Sequence, residues 1–318
     1  MPIQFPAEKY TGKIAELTLG ATKEEGGTRT RKVTVGGQAA LNFHAADGAY
    51  PHPPAVAMEV YDVAPELPEA VMKALGPVLD KPAAWARKCV EDWHADLVCL
   101  KLKGTNPEAQ NRSPEEAAKT VVEVLNAVGV PLIVYGSGAE EKDTLVMQAV
   151  GEVLKKENCA IGQAENEKYK SISVASMGFG QSLVAFSNLD INLCKQLNIL
   201  LTDFGVKRER ILMDPLLGGL GYGLDYSYSV IERIRLAALA GDTMLQNPIL
   251  VDTSVAWNAR EATIGELAAG GDVAKRGPAW EATTGIASMV AGADLLIMRH
   301  PEAVKMVKAA IADMKGGA

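Results

Sequence analysis

The chain has 318 residues, 48% of them hydrophobic and 22% charged, and a formal net charge of −7. That length and apolar content can bury a full core and exclude disorder for the bulk of the chain. The acidic balance, the lack of a basic-plus-apolar leader and the absence of any run near the roughly 18 apolar residues of a membrane span give the expectation of a soluble, cytoplasmic protein with no nucleic-acid and no membrane partner.

In chain order, Ile14, Leu17 and Leu19 lead to a polar turn at 22–27, and Lys32-Val-Thr-Val-Gly-Gly alternates on the way back. This pattern predicts a β-hairpin. A proline-rich joint at 51–54 separates an N-terminal extension, 1–54, from a main fold, 55–318. From there strand-like runs recur at Val56–Tyr61, Leu97–Leu102, Leu132–Tyr135, Ala160–Gly162, Leu183–Phe186, Ile211–Met213, Ile249–Val251 and Leu295–Met298. Helical patterns lie between them, at about 82–94, 113–128, 140–156, 167–178, 190–204, 227–240 and 279–291, with a last one at 301–314. Regular alternation over such a span predicts an α/β fold, a (β/α)₈ TIM barrel preceded by the hairpin extension; a doubly wound open sheet is the competing architecture.

Function in a barrel sits where the strands end. Those ends carry Glu59 and Asp62, Lys101, Gly136-Ser137-Gly138, Gln163 with Glu165, Asn188, Asp214, Asp252-Thr253-Ser254, and Arg299-His300. No nucleophile has a neighbouring base among them. Asp190 before Ile191, and Ser113 with Pro114 and Glu116, read as helix caps. One strand end stands out: Asp214-Pro215 is followed by glycine at 218, 219, 221 and 223. Glycine at that density lets main chain turn at positive φ or lie against something flat, so a ligand platform is expected there. Ser229 and Glu232 are spaced as the capping box of the next helix. Residues 255–278 form a longer connection than a βα loop needs, suited to covering a ligand or meeting a partner. The four cysteines, at 89, 99, 159 and 194, fit no cluster or zinc spacing, and the histidines at 44, 52, 94 and 300 are too scattered for a paired metal site.

Longer blocks carry a resemblance. Leu19-Gly-Ala-Thr with Gly26-Gly-Thr-Arg29, Met58-Glu-Val, Asn166-Glu-Lys-Tyr-Lys170, the run Leu189 to Ile199, Asp214-Pro with Gly218 to Gly223, Ile231 to Leu236, and Met298-Arg-His-Pro-Glu-Ala303 are similar to the small subunit of the corrinoid/iron–sulfur protein of the reductive acetyl-CoA pathway. That family is related to the delta subunit of archaeal acetyl-CoA decarbonylase/synthase. The resemblance runs along nearly the whole chain.

It implies a non-catalytic barrel in a heterodimer, as part of a corrinoid-dependent methyltransferase system. A large subunit owns a [4Fe–4S] cluster and a corrinoid domain, and the cobalamin lies between that domain and the barrel. The methyl group comes from methyltetrahydrofolate through a methyltransferase and goes to the nickel site of acetyl-CoA synthase, the partner of CO dehydrogenase. On this reading Asn188, Asp214, Gly218, Gly219, Gly221, Tyr222, Gly223, Asp252, Ser254, Trp257, Arg299 and His300 are the candidate cofactor-binding residues, with none catalytic and none binding metal. Trp257 and Tyr222 are expected near the large subunit. The chain also lacks the D-x-H-x-x-G context in which some cobalamin proteins give a histidine to cobalt, and a cobalt without a strong lower donor is easier to reduce. The alternative is a pterin-binding barrel that acts directly on methyltetrahydrofolate, with Asp214, Asn188 and Asp252 toward the pterin.

Overall fold

The structure is a computed structural model that describes residues 7–265 and 270–316. It opens with a two-stranded antiparallel hairpin, β1 (Leu17–Leu19) and β2 (Val33–Val35), in which Leu17 faces Val35 and Leu19 faces Val33. Eight parallel strands follow: β3 (Ala55–Tyr61), β4 (Leu97–Lys101), β5 (Leu132–Tyr135), β6 (Ala160–Ala164), β7 (Ser182–Phe186), β8 (Ile211–Asp214), β9 (Leu250–Asp252) and β10 (Leu295–Met298). The helices are α1 (Glu69–Leu75), α2 (Pro82–Glu91), α3 (Pro114–Ala127), α4 (Glu140–Val153), α5 (Tyr169–Phe179), α6 (Ile191–Phe204), α7 (Leu224–Leu239), α8 (Arg260–Thr263), α9 (Val273–Ala291) and α10 (Pro301–Gly316).

Each strand from β3 to β8 pairs with the next, and β10 pairs with both β3 and β9. The order never reverses, so the sheet is a ring rather than the open doubly wound alternative. Its last seam, β8 against β9, is thin: one parallel bridge joins Met213 to Ile249, with Met213 N–H donating to Pro248 O at 2.9 Å.

The strands are near-continuous apolar runs because both faces are buried. Alternate residues divide between two layers. Ala57, Leu97, Cys99, Ile133, Tyr135 and Leu212 fill the barrel interior, while Val56, Met58, Val98, Leu100, Val134 and Met213 pack outward under the helices. Leu17, Leu19 and Val35 belong to the interior cluster, so the hairpin closes the strand N-terminal end of the barrel with its apolar face.

The expected caps hold at two helices. Ser113 and Glu116 form a capping box on α3, and the Asp190 carboxylate accepts from Asn192 N–H and Leu193 N–H at 2.6 and 3.1 Å. At α7 the expectation fails. The helix starts at Leu224 with Gly223 as its cap, so Ser229 lies inside it. The hydroxyl of Ser227 is already used, accepting from Gly218 N–H at 2.6 Å, which folds the glycine loop down onto the helix start. The expected 255–278 connection is partly helical, with a 3₁₀ segment over Thr253–Asn258, then α8, then α9 from Val273; its residues 266–269 lie outside the described residues.

Under the barrel, buried Asp294 links three parts of the chain. It accepts from Arg235 Nη2 at 2.5 Å, from Ile249 N–H at 2.7 Å and from the Gln38 carboxamide of the extension. Removing one partner of such a pair leaves a buried charge alone. Asp294→Ala should therefore lower unfolding free energy by about 3–5 kcal/mol, read as a shifted urea midpoint at unchanged slope.

Candidate functional site

At the strand C-terminal ends the barrel mouth is built on Glu59, whose side chain is fully buried near the end of β3. Lys101 Nζ, from the end of β4, donates to Glu59 Oε2 at 2.6 Å and to Asp252 Oδ2 at 2.6 Å. Arg299, just past β10, ion-pairs with the other Glu59 oxygen, and its Nη2 donates to Tyr61 Oη at 3.3 Å and to Ser254 Oγ at 3.4 Å. Burial by itself would raise the Glu59 pKa; the two cations outweigh it and hold the carboxyl down at about 2. Tyr61 is pushed up to about 12 by burial and by the Glu59 charge. Two carboxylates and two cations thus neutralise one another across the floor of the mouth.

Asp214, ending β8, has a different balance. Gln163 Nε2 donates to its Oδ2 at 2.9 Å and Leu216 N–H to its Oδ1 at 3.1 Å, yet burial dominates and raises the pKa to about 7. Nearby Tyr135 has a buried hydroxyl without a hydrogen-bond partner among the described residues. Tyr61, Lys101, Tyr135, Gln163 and Asp252 line a cavity of about 170 Å³, rimmed by Lys103, Glu140, Glu165 and Lys168.

The glycine loop is compact. A Cβ on Gly218 would lie 2.6 Å from the Gly223 carbonyl carbon, and one on Gly219 would lie 2.7 Å from Ala256 Cα. These two glycines therefore serve close packing, of the loop on itself and of the loop on the turn after β9. Gly221 differs: it sits at φ +71° and is exposed, and an added Cβ would meet nothing nearer than 3.7 Å. Thr284 Oγ1 accepts from Leu220 N–H at 3.1 Å, and Trp280 Nε1 donates to Leu220 O at 2.7 Å, tying the loop to α9. Beside it Tyr222 and Tyr226 are 66% and 69% exposed.

Trp257 is not the surface aromatic that the sequence led us to expect. It is 3% exposed, stacks on His300 with ring centroids 5.5 Å apart, and donates to Glu281 Oε2 at 2.7 Å. Glu281 also accepts the backbone N–H groups of Arg299 (2.5 Å) and His300 (3.0 Å), and burial raises its pKa to about 7. His300 is buried, its Nδ1 accepts from Glu302 N–H at 3.1 Å, and burial lowers its pKa to about 4. Trp257 and His300 thus form an internal stack behind the mouth. Asn188 opens on another cavity, with Glu165, Phe186 and Ser187, so the three pterin candidates do not line one cavity.

The mouth brings together Asp214, Asp252, Ser254 and Arg299 from the sequence-derived set and adds Glu59, Lys101, Tyr61, Tyr135 and Glu281, which that set omitted. Glu59 and Lys101 were visible as strand ends, but nothing local pairs them. No nucleophile–base couple is formed by the residues described at the mouth. Among the described residues no group of three or more His, Cys, Asp or Glu side chains could hold a metal ion, and all four cysteines are buried.

The family described as CO dehydrogenase/acetyl-CoA synthase delta subunit matches residues 16–311. The acetyl-CoA decarbonylase/synthase complex subunit delta of Archaeoglobus fulgidus is 44% identical over 308 residues, 95% of this chain and 68% of that one. Its counterpart in Methanosarcina mazei is 40% identical, covering 94% of this chain and 70% of that one. Among solved structures, dihydropteroate synthases from Thermus thermophilus (TM-score 0.55, 17% identity, 85% of this chain and 96% of that one) and Yersinia pestis (0.58, 16%, 84% and 95%) share the fold.

The raised Asp214 pKa fixes a sign. Between about pH 4 and 7 the unfolded carboxyl is ionised while the folded one keeps its proton, so stability falls as pH rises, by at most about 1.4 kcal/mol per unit. Asp214→Asn has no such proton. In paired urea titrations at pH 5 and pH 8, the variant should gain on the parent as pH rises.

Proposed function

The chain belongs to the CO dehydrogenase/acetyl-CoA synthase delta subunit family, and from that premise we propose that its barrel mouth is one wall of a corrinoid site shared with a large subunit. That partner carries the [4Fe–4S] cluster and the corrinoid domain. The pair takes a methyl group from methyltetrahydrofolate through a methyltransferase and delivers it to acetyl-CoA synthase. The observation that carries this reading is the exposed Gly221-Tyr222 tip with Tyr226, beside a mouth whose charges already neutralise one another. Such a face suits a broad, largely uncharged ring better than a small charged substrate.

The residues fit a corrinoid by that measure. Backbone at 220–223 can approach a flat ring because Gly221 has no side chain in the way, and the unpartnered Tyr135 hydroxyl offers a donor nearby. His300, the histidine at this end of the barrel, is buried and engaged, so it gives no ligand to a metal above the mouth. When bound, cobalt supplies the nucleophile that accepts the methyl group. This chain's part is to wall off water, since exposure favours side reactions, and to hold its partner with Tyr222 and Tyr226, aromatic groups that bury much area at low entropic cost.

The competing pterin reading has less support. Asp252 is committed to Lys101, and Asn188 opens on a different cavity from Asp252.

Co-expression with the large subunit tests the proposal. The pair should purify as a coloured heterodimer, and Tyr222→Asp with Tyr226→Asp should cost it about 2–4 kcal/mol of association and much of its corrin absorbance. Light scattering and the visible spectrum read both. A doubly substituted pair that stays coloured at parental affinity would place the interface elsewhere. Methyltetrahydrofolate binding to the isolated chain, measured by calorimetry, should be absent.

A further inference from the structure

The cavity beside Lys101 is not needed by the glycine platform, yet it is a built site. Much of its charged lining is already engaged. Lys101 lies between Glu59 and Asp252, Lys168 pairs with Glu140 at 3.4 Å, and Asp143 accepts from Ser137 N–H, Ser137 Oγ–H and Gly138 N–H at 2.9, 3.0 and 2.7 Å. Among the described residues, only Lys103 and Glu165 of this charged lining are without an ion pair or a hydrogen-bonded carboxylate, and both lie at the rim, so a charged group set deeper in the cavity would disturb pairs already made.

The unused hydrogen-bonding capacity is of both kinds. The Tyr135 hydroxyl is buried, lies beside the Asp214 carboxyl and makes no close hydrogen bond among the described residues. Lys103, exposed at the rim, bonds a single backbone carbonyl, Ser137 O, at 3.1 Å. Gln163 gives an N–H to Asp214 and keeps its carbonyl oxygen as an acceptor, and Glu165 adds a carboxylate at the rim. A buried group left unpaired is costly, so an occupant should bring an acceptor for Tyr135; at the open side it meets Lys103, which can share that acceptor, and the half-buried Gln163 carbonyl, which can take a donor. A hydrocarbon brings neither, and a carboxylate brings no donor. The 170 Å³ volume is close to the roughly 150 Å³ that accepts benzene, so five or six heavy atoms fit.

We propose that this cavity is a binding subsite for a neutral primary carboxamide, with Tyr135 and Lys103 on its oxygen and Gln163 on its nitrogen. Resting on the corrinoid reading, the carboxamide is one of the amide arms at the corrin edge; the other source is a free small amide. The two share their chemistry and separate in the test.

The full chain is titrated with propionamide, then with propionate, while NMR follows the Gln163 side-chain amide. Wild type should show a saturable shift with propionamide and at least tenfold weaker binding of propionate. Tyr135→Phe, which keeps the ring, and Lys103→Met, at the rim, should each weaken propionamide at least fivefold. No saturable shift, equal binding of propionate, or parental affinity in both variants would overturn the subsite. In the heterodimer, cobalamin released at least fivefold faster from Tyr135→Phe identifies the corrin arm, whereas unchanged release with lost propionamide binding identifies a free amide. A pair that holds no corrinoid would end the corrinoid reading and leave the propionamide result standing.

Discussion

A carboxylate sealed inside a barrel has to be matched, and Glu59 sets the terms for everything above it. Its two cations come from the neighbours of β3 on either side, Lys101 from β4 and Arg299 from the end of β10. Both must arrive at the same height, so the register of three strands and the charge of one side chain are coupled. Lys101 then reaches Asp252, and Arg299 reaches Ser254, which brings β9 and its following turn into the same network. A buried charge is tolerated only while its partners stay in place. The ion pairs on the floor of the mouth accordingly hold one another in place.

That network also marks where sequence reading stops. The strands were legible because β3 to β10 are short, mostly apolar runs alternating with helical patterns, and each polar terminus could be named. Which termini meet is a property of ring closure: Glu59, Lys101 and Arg299 are separated by 42 and 198 residues and come together only once β10 pairs with β3. Tyr135 hid inside an apolar run, where its ring belongs, while its hydroxyl carried the interest. Glu281 sits midway along α9, where a carboxylate ordinarily faces water, and it is buried because Trp257 and two backbone N–H groups converge on it. For the same reason Trp257 turned inward.

The glycine loop stood out in the sequence as a ligand platform, and two of its glycines have a packing reason instead. Gly218 and Gly219 are small because the chain crosses itself and touches Ala256; the freedom left for a visitor is at Gly221, with Tyr222 beside it. The Ser229 cap was misplaced because Gly223 can cap a helix at positive φ, and the helix gained a turn at the expense of the loop. Composition alone could not divide those four glycines by role, since contact distances and backbone angles decide it.

The thin seam between β8 and β9 runs beneath this loop. Met213 and Ile249 make its single bridge, and directly above, Gly219 packs on Ala256 from the far side of the join. The platform thus straddles the one place where the ring is least stitched. Anything resting on both lips would act as a clasp, adding its own binding energy to the closed form. Occupancy and barrel integrity are then a single equilibrium seen from two sides: the tighter the guest, the slower the amide protons along that seam exchange with solvent.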